Sequence, residues 1–258
     1  MSSSTQDLIP RVYFGTTFGA LFIGVIFAAI LFGLSNIQAF VYFQSHKGTK
    51  VLFPKLAVVW LWIFDTLHLF LIVHCVYYYL VVHYADISIL TEMVWSFKLQ
   101  IVIDVVIIYG VHLLYFHRIW IFAKGRSRVL PIAVGVIVIS SSGVGIALTW
   151  AIYQCHMFSD LIKIEWAIFL ALGTITFVDF VIASSLCYLL ASSRTGFSNT
   201  DSLITRLMAY IINTGCLTSV CSLSVIITCA VMPHNFIFIG IDFLVAKRMT
   251  QGILRMSC

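Results

Sequence analysis

Charge is what this chain has least of. Asp, Glu, Lys and Arg make up 10% of its 258 residues, while 61% are apolar. Soluble domains carry about 25% charged and about 45–50% apolar residues. The shortfall excludes a soluble globular domain, and the apolar excess excludes a disordered chain, which has little surface to bury. Proline is scarce as well, with four residues, so no Pro-rich linker divides the chain. None of Asn36, Asn199, Asn213 and Asn235 begins an Asn-x-Ser/Thr sequon, and glycosylation is not expected. No Cys-x-x-Cys occurs among the seven cysteines, which argues against a structural zinc site. Cys155 falls in a loop with no second loop cysteine to pair with, although Cys229 lies near the same end of its helix. Cys258 is terminal and does not fit the prenylation pattern.

What remains is apolar run. A membrane helix needs about 20 mostly apolar residues to cross ~30 Å of hydrocarbon. Seven such runs are read over residues 16–43, 56–83, 94–119, 129–153, 164–190, 205–231 and 235–254. Their unbroken character is that of helices and not of alternating barrel strands. The expectation is an all-α polytopic membrane protein, a seven-transmembrane-helix bundle forming a single domain over 1–258. The first run is too long for a signal peptide and is expected to stay as a membrane helix. The seventh is the shortest and most interrupted.

Twelve of the 15 basic residues fall on the side of the 1–2, 3–4 and 5–6 loops and the C-terminal end; Arg11, Lys98 and Lys163 fall opposite. By the positive-inside rule the N-terminus is expected outside and the C-terminus in the cytosol, in the plasma membrane or another membrane of the secretory pathway. The net charge of +5 therefore calls for lipid headgroups and not for nucleic acid. Aromatic pairs such as Tyr13-Phe14 and Tyr42-Phe43, with Trp120 and Trp166, fit an interfacial belt. Small residues recur at four-residue spacing in helix 1 (Gly15, Gly19 or Ala20, Gly24, Ala28) and cluster in helix 4 from Ser140 to Gly145. Such stripes let helices approach closely, here within one molecule more readily than between two; the oligomeric state stays open.

Ionisable groups at membrane depth are costly and mark functional candidates. Asp65 and His68 lie in helix 2, Asp104 in helix 3, Asp179 in helix 5, Asn213 in helix 6 and Asp242 in helix 7. At 1.5 Å per residue, Asp65, Asp104 and Asp242 sit roughly 12–15 Å from the nearer helix end, close to the midplane. Asp65 and His68, three apart, share one face, whereas His74 does not; His112 lies towards the other end of helix 3. The count is lopsided, with four Asp and no central Lys or Arg, which points to protonated carboxyls or to a bound cation, proton or cationic ligand. The alternative is that each Asp hydrogen-bonds a neighbouring helix. Lys247 stands beside Arg248 near the helix end, where snorkelling to the interface is expected. Five residues separate it from Asp242, so a retinal-type site is disfavoured. Asp65 and His68 supply only two of the three ligands a catalytic zinc needs, and no cofactor or metal is expected.

The stretch Ser193-Arg194-Thr195-Gly196-Phe197, Thr200-Asp201, Tyr210 and Asn213-Thr214-Gly215 resembles a family of multi-spanning membrane proteins of mushroom-forming fungi, known only as a domain of unknown function. Leu31-Phe32-Gly33, Gln38, Trp62, Asp65-Thr66, His68, Tyr78-Tyr79 and Arg118-Ile119-Trp120 carry the resemblance through most of the chain. It implies a fungal source and a seven-helix membrane protein, and no activity. The tail from Gln251 to Cys258 departs from the family's pattern. Within the stretch, Gly196 suits a turn, Ser198 or Thr200 suits a helix cap, and Asp201 suits the positive helix end. The other reading of Arg194, Thr195, Gly196, Phe197, Thr200 and Asp201 is a cytosolic docking loop.

Seven helices suggest a receptor by architecture alone, which does not establish function. Helix 3 ends in His117-Arg118-Ile119 instead of an acidic-Arg-aromatic box, and helices 6 and 7 lack the internal prolines of rhodopsin-like receptors. Three functions follow: a receptor or sensor with a polar core, meeting a cytosolic protein through the 3–4 and 5–6 loops; a proton- or cation-coupled transporter; and an intramembrane enzyme around Asp65 and His68.

Overall fold

The computed structural model describes residues 4–45, 52–83, 89, 92–123, 128–193, 198–232 and 235–257; the side chains of 4–18, 52, 159, 162, 198–200, 203 and 256–257 are not among those described. Seven long helices follow one another: α1 (Ser4–Ser45), α2 (Leu52–Tyr77), α3 (Trp95–Phe122), α4 (Val129–Gln154), α5 (Glu165–Ala191), α6 (Ser198–Val231) and α7 (Ile237–Ser257). No strand occurs among the described residues, only an isolated bridge between Glu92 and Met157. Six of the helices are long and apolar enough to cross a membrane; α7 is not. Of the seven runs expected to span, the seventh, the shortest and most interrupted, thus lacks the composition of a span. The physical reason is that Asp242, Lys247, Arg248 and Arg255 sit within 21 residues. Another difference is α6, which starts seven residues before the expected 205 and takes Asp201 into its first turn.

Consecutive helices pack as neighbours, and α7 closes the bundle against α1 and α6. It also reaches α2 and α3, while α3 crosses to α5. Helices α1–α6 turn Phe, Ile, Val and Trp outward, with Phe40, Ile139, Trp150 and Phe180 each about two-thirds exposed or more. In lipid this is the favourable arrangement, since hydrocarbon solvates such side chains. The most enclosed helix is α7. From Phe243 to Leu254 every residue except Leu244 and Arg248 is buried.

Close approach explains how α7 fits. A Cβ on Gly24 of α1 would stand 2.8 Å from the Gly240 Cα of α7, and one on Gly240 would stand 2.8 Å from the Ala20 carbonyl. The small-residue stripe of α1 is therefore used within the molecule, through Gly24 and the fully buried Ala28. Gly19 has nothing within 4 Å of its Cβ position. In α4, Gly145 admits the ring of Tyr109, whose hydroxyl donates to the Ser141 carbonyl.

At its end α2 widens into a π turn, Tyr78–Val82. The buried Tyr79 hydroxyl donates to the Glu92 carbonyl (2.7 Å) and accepts from the Val94 N–H (2.8 Å). One side chain thus satisfies backbone groups at the start of α3, where a new helix has unpaired N–H groups.

Candidate functional site

The polar core is built on α7. Its Lys247 has no exposed surface, and its ammonium donates to the Asp65 carboxylate and to the Asp65 carbonyl, each at 2.6 Å. The Phe32 ring of α1 lies 5.1 Å from the ammonium. The expected snorkelling of Lys247 is overturned, and so is the lopsided charge. Snorkelling needs a path to the interface, and Lys247 is walled in by α1 and α2. Asp65, likewise fully buried, supplies the compensating charge. The short contact and the second bond to the Asp65 carbonyl favour the pair, while the other carboxylate oxygen, Oδ2, is buried without a hydrogen-bond partner.

His68 lies one turn along α2 from Asp65. The two share a face, but each meets a different helix. His68 Nε2 stands 3.0 Å from Asp104 of α3. The distance is that of an ion pair, while the direction is not that of a hydrogen bond, so neither atom is satisfied in that sense. Asp104 in turn faces Asp242 of α7 across a cavity of about 90 Å³. Gln100 joins them on its wall, with its amide oxygen unpaired, and the rest of the lining is apolar, including Leu161 of the short turn (Phe158–Ile164) between α4 and α5. No hydrogen bond or ion pair joins Asp242 to the described residues. Asp65, His68, Asp104, Asp242 and Lys247 are thus one cluster at the meeting of α2, α3 and α7, each within electrostatic reach of the next.

Asp179 belongs elsewhere. On α5 it accepts from Thr218 of α6 (2.9 Å) and stands 3.1 Å from His112 Nε2 of α3. This second polar contact ties α3, α5 and α6 beside a small cavity of about 20 Å³. Asn213 joins neither group; it is exposed on α6. Arg194, Thr195, Gly196 and Phe197 lie outside the described residues, as does the Thr200 side chain. Asp201 sits in the first turn of α6, where its carbonyl accepts from Thr205 (2.8 Å). Among the described residues no three His, Cys, Asp or Glu side chains are placed to hold a metal ion.

Sequence reasoning missed the part played by α1 and by the tail. Gln251 donates to the Leu31 carbonyl (2.8 Å), and Gln38, with its amide turned to suit its neighbours, meets both the Gln251 carbonyl (3.3 Å) and Arg255 Nε (3.0 Å). A signal was present: Lys247, Thr250, Gln251 and Leu254 follow a helical i, i+3, i+4, i+7 spacing, and polar residues within membrane helices face the bundle interior.

With the geometry in place, comparison adds one relation. A family of unknown function (DUF6534) matches residues 175–256, from the middle of α5 through α6 and most of α7. The match includes Asp179, Thr218, Asp242 and Lys247, and it runs on through the tail that follows Gln251. No curated protein and no solved structure matches the chain.

Proposed function

We propose that this is a receptor- or sensor-like membrane protein that takes a small organic cation, a protonated amine, into the cavity between Asp104 and Asp242. The observation that carries the reading is a pair of carboxylates that, with Gln100, are the polar groups on an otherwise apolar wall, one carboxylate forming no hydrogen bond or ion pair with the described residues. A buried carboxylate is tolerated when a proton or a cation neutralises it. The cavity holds several water-sized volumes, each of ~10–15 Å³ by the same measure, so the ligand is small. Lys247 cannot fill this role, because Asp65 holds it on the other side of α7. Signal output would run along α7, which touches both the cavity and the basic end of the bundle.

The orientation belongs to the same reading. Setting the buried Lys247 aside leaves eleven of the 15 basic residues on one side, which supports a cytosolic C-terminus and a cytosolic protein partner at the 3–4 and 5–6 loops. A plasma-membrane or secretory-pathway location and a fungal source complete it.

The test is thermal unfolding of the detergent-purified protein with primary alkylamines from methylamine to hexylamine. Concentration-dependent stabilisation is expected, and it is lost in Asp242→Asn. Absence of stabilisation by every amine, or equal stabilisation of Asp242→Asn, overturns the reading. A proton- or cation-coupled transporter is the second reading, favoured by ionisable pairs in two places, at His68–Asp104 and at His112–Asp179. Ion flux in proteoliposomes that is unchanged when Asp65, Asp104 and Asp242 all become Asn removes it. The enzyme reading finds no support, because Lys247 closes off Asp65 and neither Asp65 nor His68 lines the cavity.

A further inference from the structure

A different cavity, of about 270 Å³, lies between the first turns of α2 and the last turns of α3, with Ile253 of α7 at its back. Its walls are apolar, formed by Pro54, Ala57, Val58 and Leu114. Phe53, Ile121 and Phe122 at its edge are exposed on the outer surface of the bundle, so the mouth opens towards lipid. Two nitrogen bases complete the lining. His117 rests against the Phe53 ring, with centroids 4.6 Å apart, and Arg118 is half-buried beside it. The lining residues include no carboxylate. Arg118 is four residues from the end of α3 at Phe122, about 6 Å along the axis, which is headgroup depth for a spanning helix.

We infer that this groove is a binding site for an anionic glycerophospholipid, with the phosphate at Arg118 and His117 and part of an acyl chain along Ala57, Val58 and Leu114. Basic pockets between membrane helices hold lipid headgroups in this way. The apolar walls have no role for a free phosphate ion. A zwitterionic headgroup carries no net charge, so a lining with basic side chains and no carboxylate favours a net-anionic one. The site is separate from the Asp104–Asp242 cavity and stands whether or not an amine binds there.

The experiment uses the full chain in detergent, with phosphatidylserine, phosphatidylinositol or phosphatidylcholine added as mixed micelles. Retained lipid is read by native mass spectrometry and stabilisation by thermal unfolding. An anionic preference of about fivefold is expected, the worth of one basic residue at an anionic headgroup. Arg118→Gln abolishes the preference and Arg118→Lys keeps most of it. Ala57→Leu fills the groove, leaves the charges in place and lowers retention of every lipid. Equal retention of phosphatidylcholine, an unaltered preference in Arg118→Gln, or equal stabilisation by inorganic phosphate alone overturns the inference. Should Arg118→Gln fail to fold, Ala57→Leu decides: unchanged retention overturns the site and reduced retention supports it.

Discussion

Helices α1–α6 and helix α7 are built to opposite specifications. The first six show Phe, Ile, Val and Trp to their surroundings and keep Asp65, His68, Gln100, Asp104 and His112 inside. The seventh carries Asp242, Lys247, Thr250 and Gln251 within ten residues and is covered on almost every side. A helix is fit for lipid by its composition only if lipid is what it touches. Here α7 is solvated by protein: an Asp65 carboxylate for Lys247, a Leu31 carbonyl for Gln251, a glycine backbone at Gly24. The polar content that removes α7 from the set of self-sufficient spans is what ties it to α1 and α2.

Separating these two modes experimentally starts with the ion pair. Lys247→Met leaves the Asp65 carboxylate buried and unpaired and is expected to cost ~3–5 kcal/mol of stability, read by unfolding in mixed micelles. Combining it with Asp65→Leu is expected to recover most of that loss. If Lys247→Met alone is neutral, α7 is not held as described.

Smaller effects test the backbone contact. Gly24→Ala and Gly240→Ala push a Cβ against main chain and are expected to lower stability by ~1–3 kcal/mol. Gly33→Ala and Gly173→Ala on the same kind of helix have open space at the Cβ and are expected to be neutral or to stabilise by about 0.5–1 kcal/mol. Equal outcomes for the two pairs would remove the distinction between an enclosed and a lipid-facing seam.

Thr218→Val removes the hydroxyl that donates to Asp179 and leaves the Asp65–Lys247 pair in place. Hydrogen bonds between membrane helices average about 0.6 kcal/mol and reach about 1.7, so a loss in that range is expected in the same assay.

The smallest effect lies outside the membrane, in the connection between α4 and α5. The ammonium of Lys163 (2.8 Å), followed by the Met157 and His156 N–H groups, holds the Asp160 carboxyl down at about 2. A depressed folded-state value means the contribution is complete above the ordinary Asp range near 3.8 and is lost as pH falls through about 2. Amide exchange at His156 and Met157 is expected to be unaffected by pH across the neutral range, once intrinsic rates are removed, and to rise in Asp160→Asn. Unfolding of α7 at neutral pH is expected to be unchanged in that variant.

Much of the fold was legible. Uninterrupted apolar runs locate six spans because hydrocarbon imposes one composition on whatever faces it. The polar residues Asp65, His68, Asp104 and Asp242 could be singled out by the cost of their depth. Their partners could not, because spacing within one helix reports faces and says nothing of what lies opposite. Their i, i+3 relation puts Asp65 and His68 on one face, yet Lys247 and Asp104 are the groups they meet. Its place beside Arg248 assigns Lys247 to the interface; only the packing of α1 and α2 around it reveals the difference. Helix α6 began earlier than its apolar run because a helix can extend past the membrane edge in polar sequence.

The Asp65–Lys247 pair joins residues 182 positions apart. During synthesis the two charges therefore reach the membrane at different times. Asp65 arrives with α2 and waits without its ammonium while four more helices are made. A single charge at a helix centre costs ~2.5–3.5 kcal/mol on insertion scales. An unfinished chain of this protein thus carries an open acidic socket among its first helices. When α7 arrives, its lysine both fills the socket and gains its own way into the membrane.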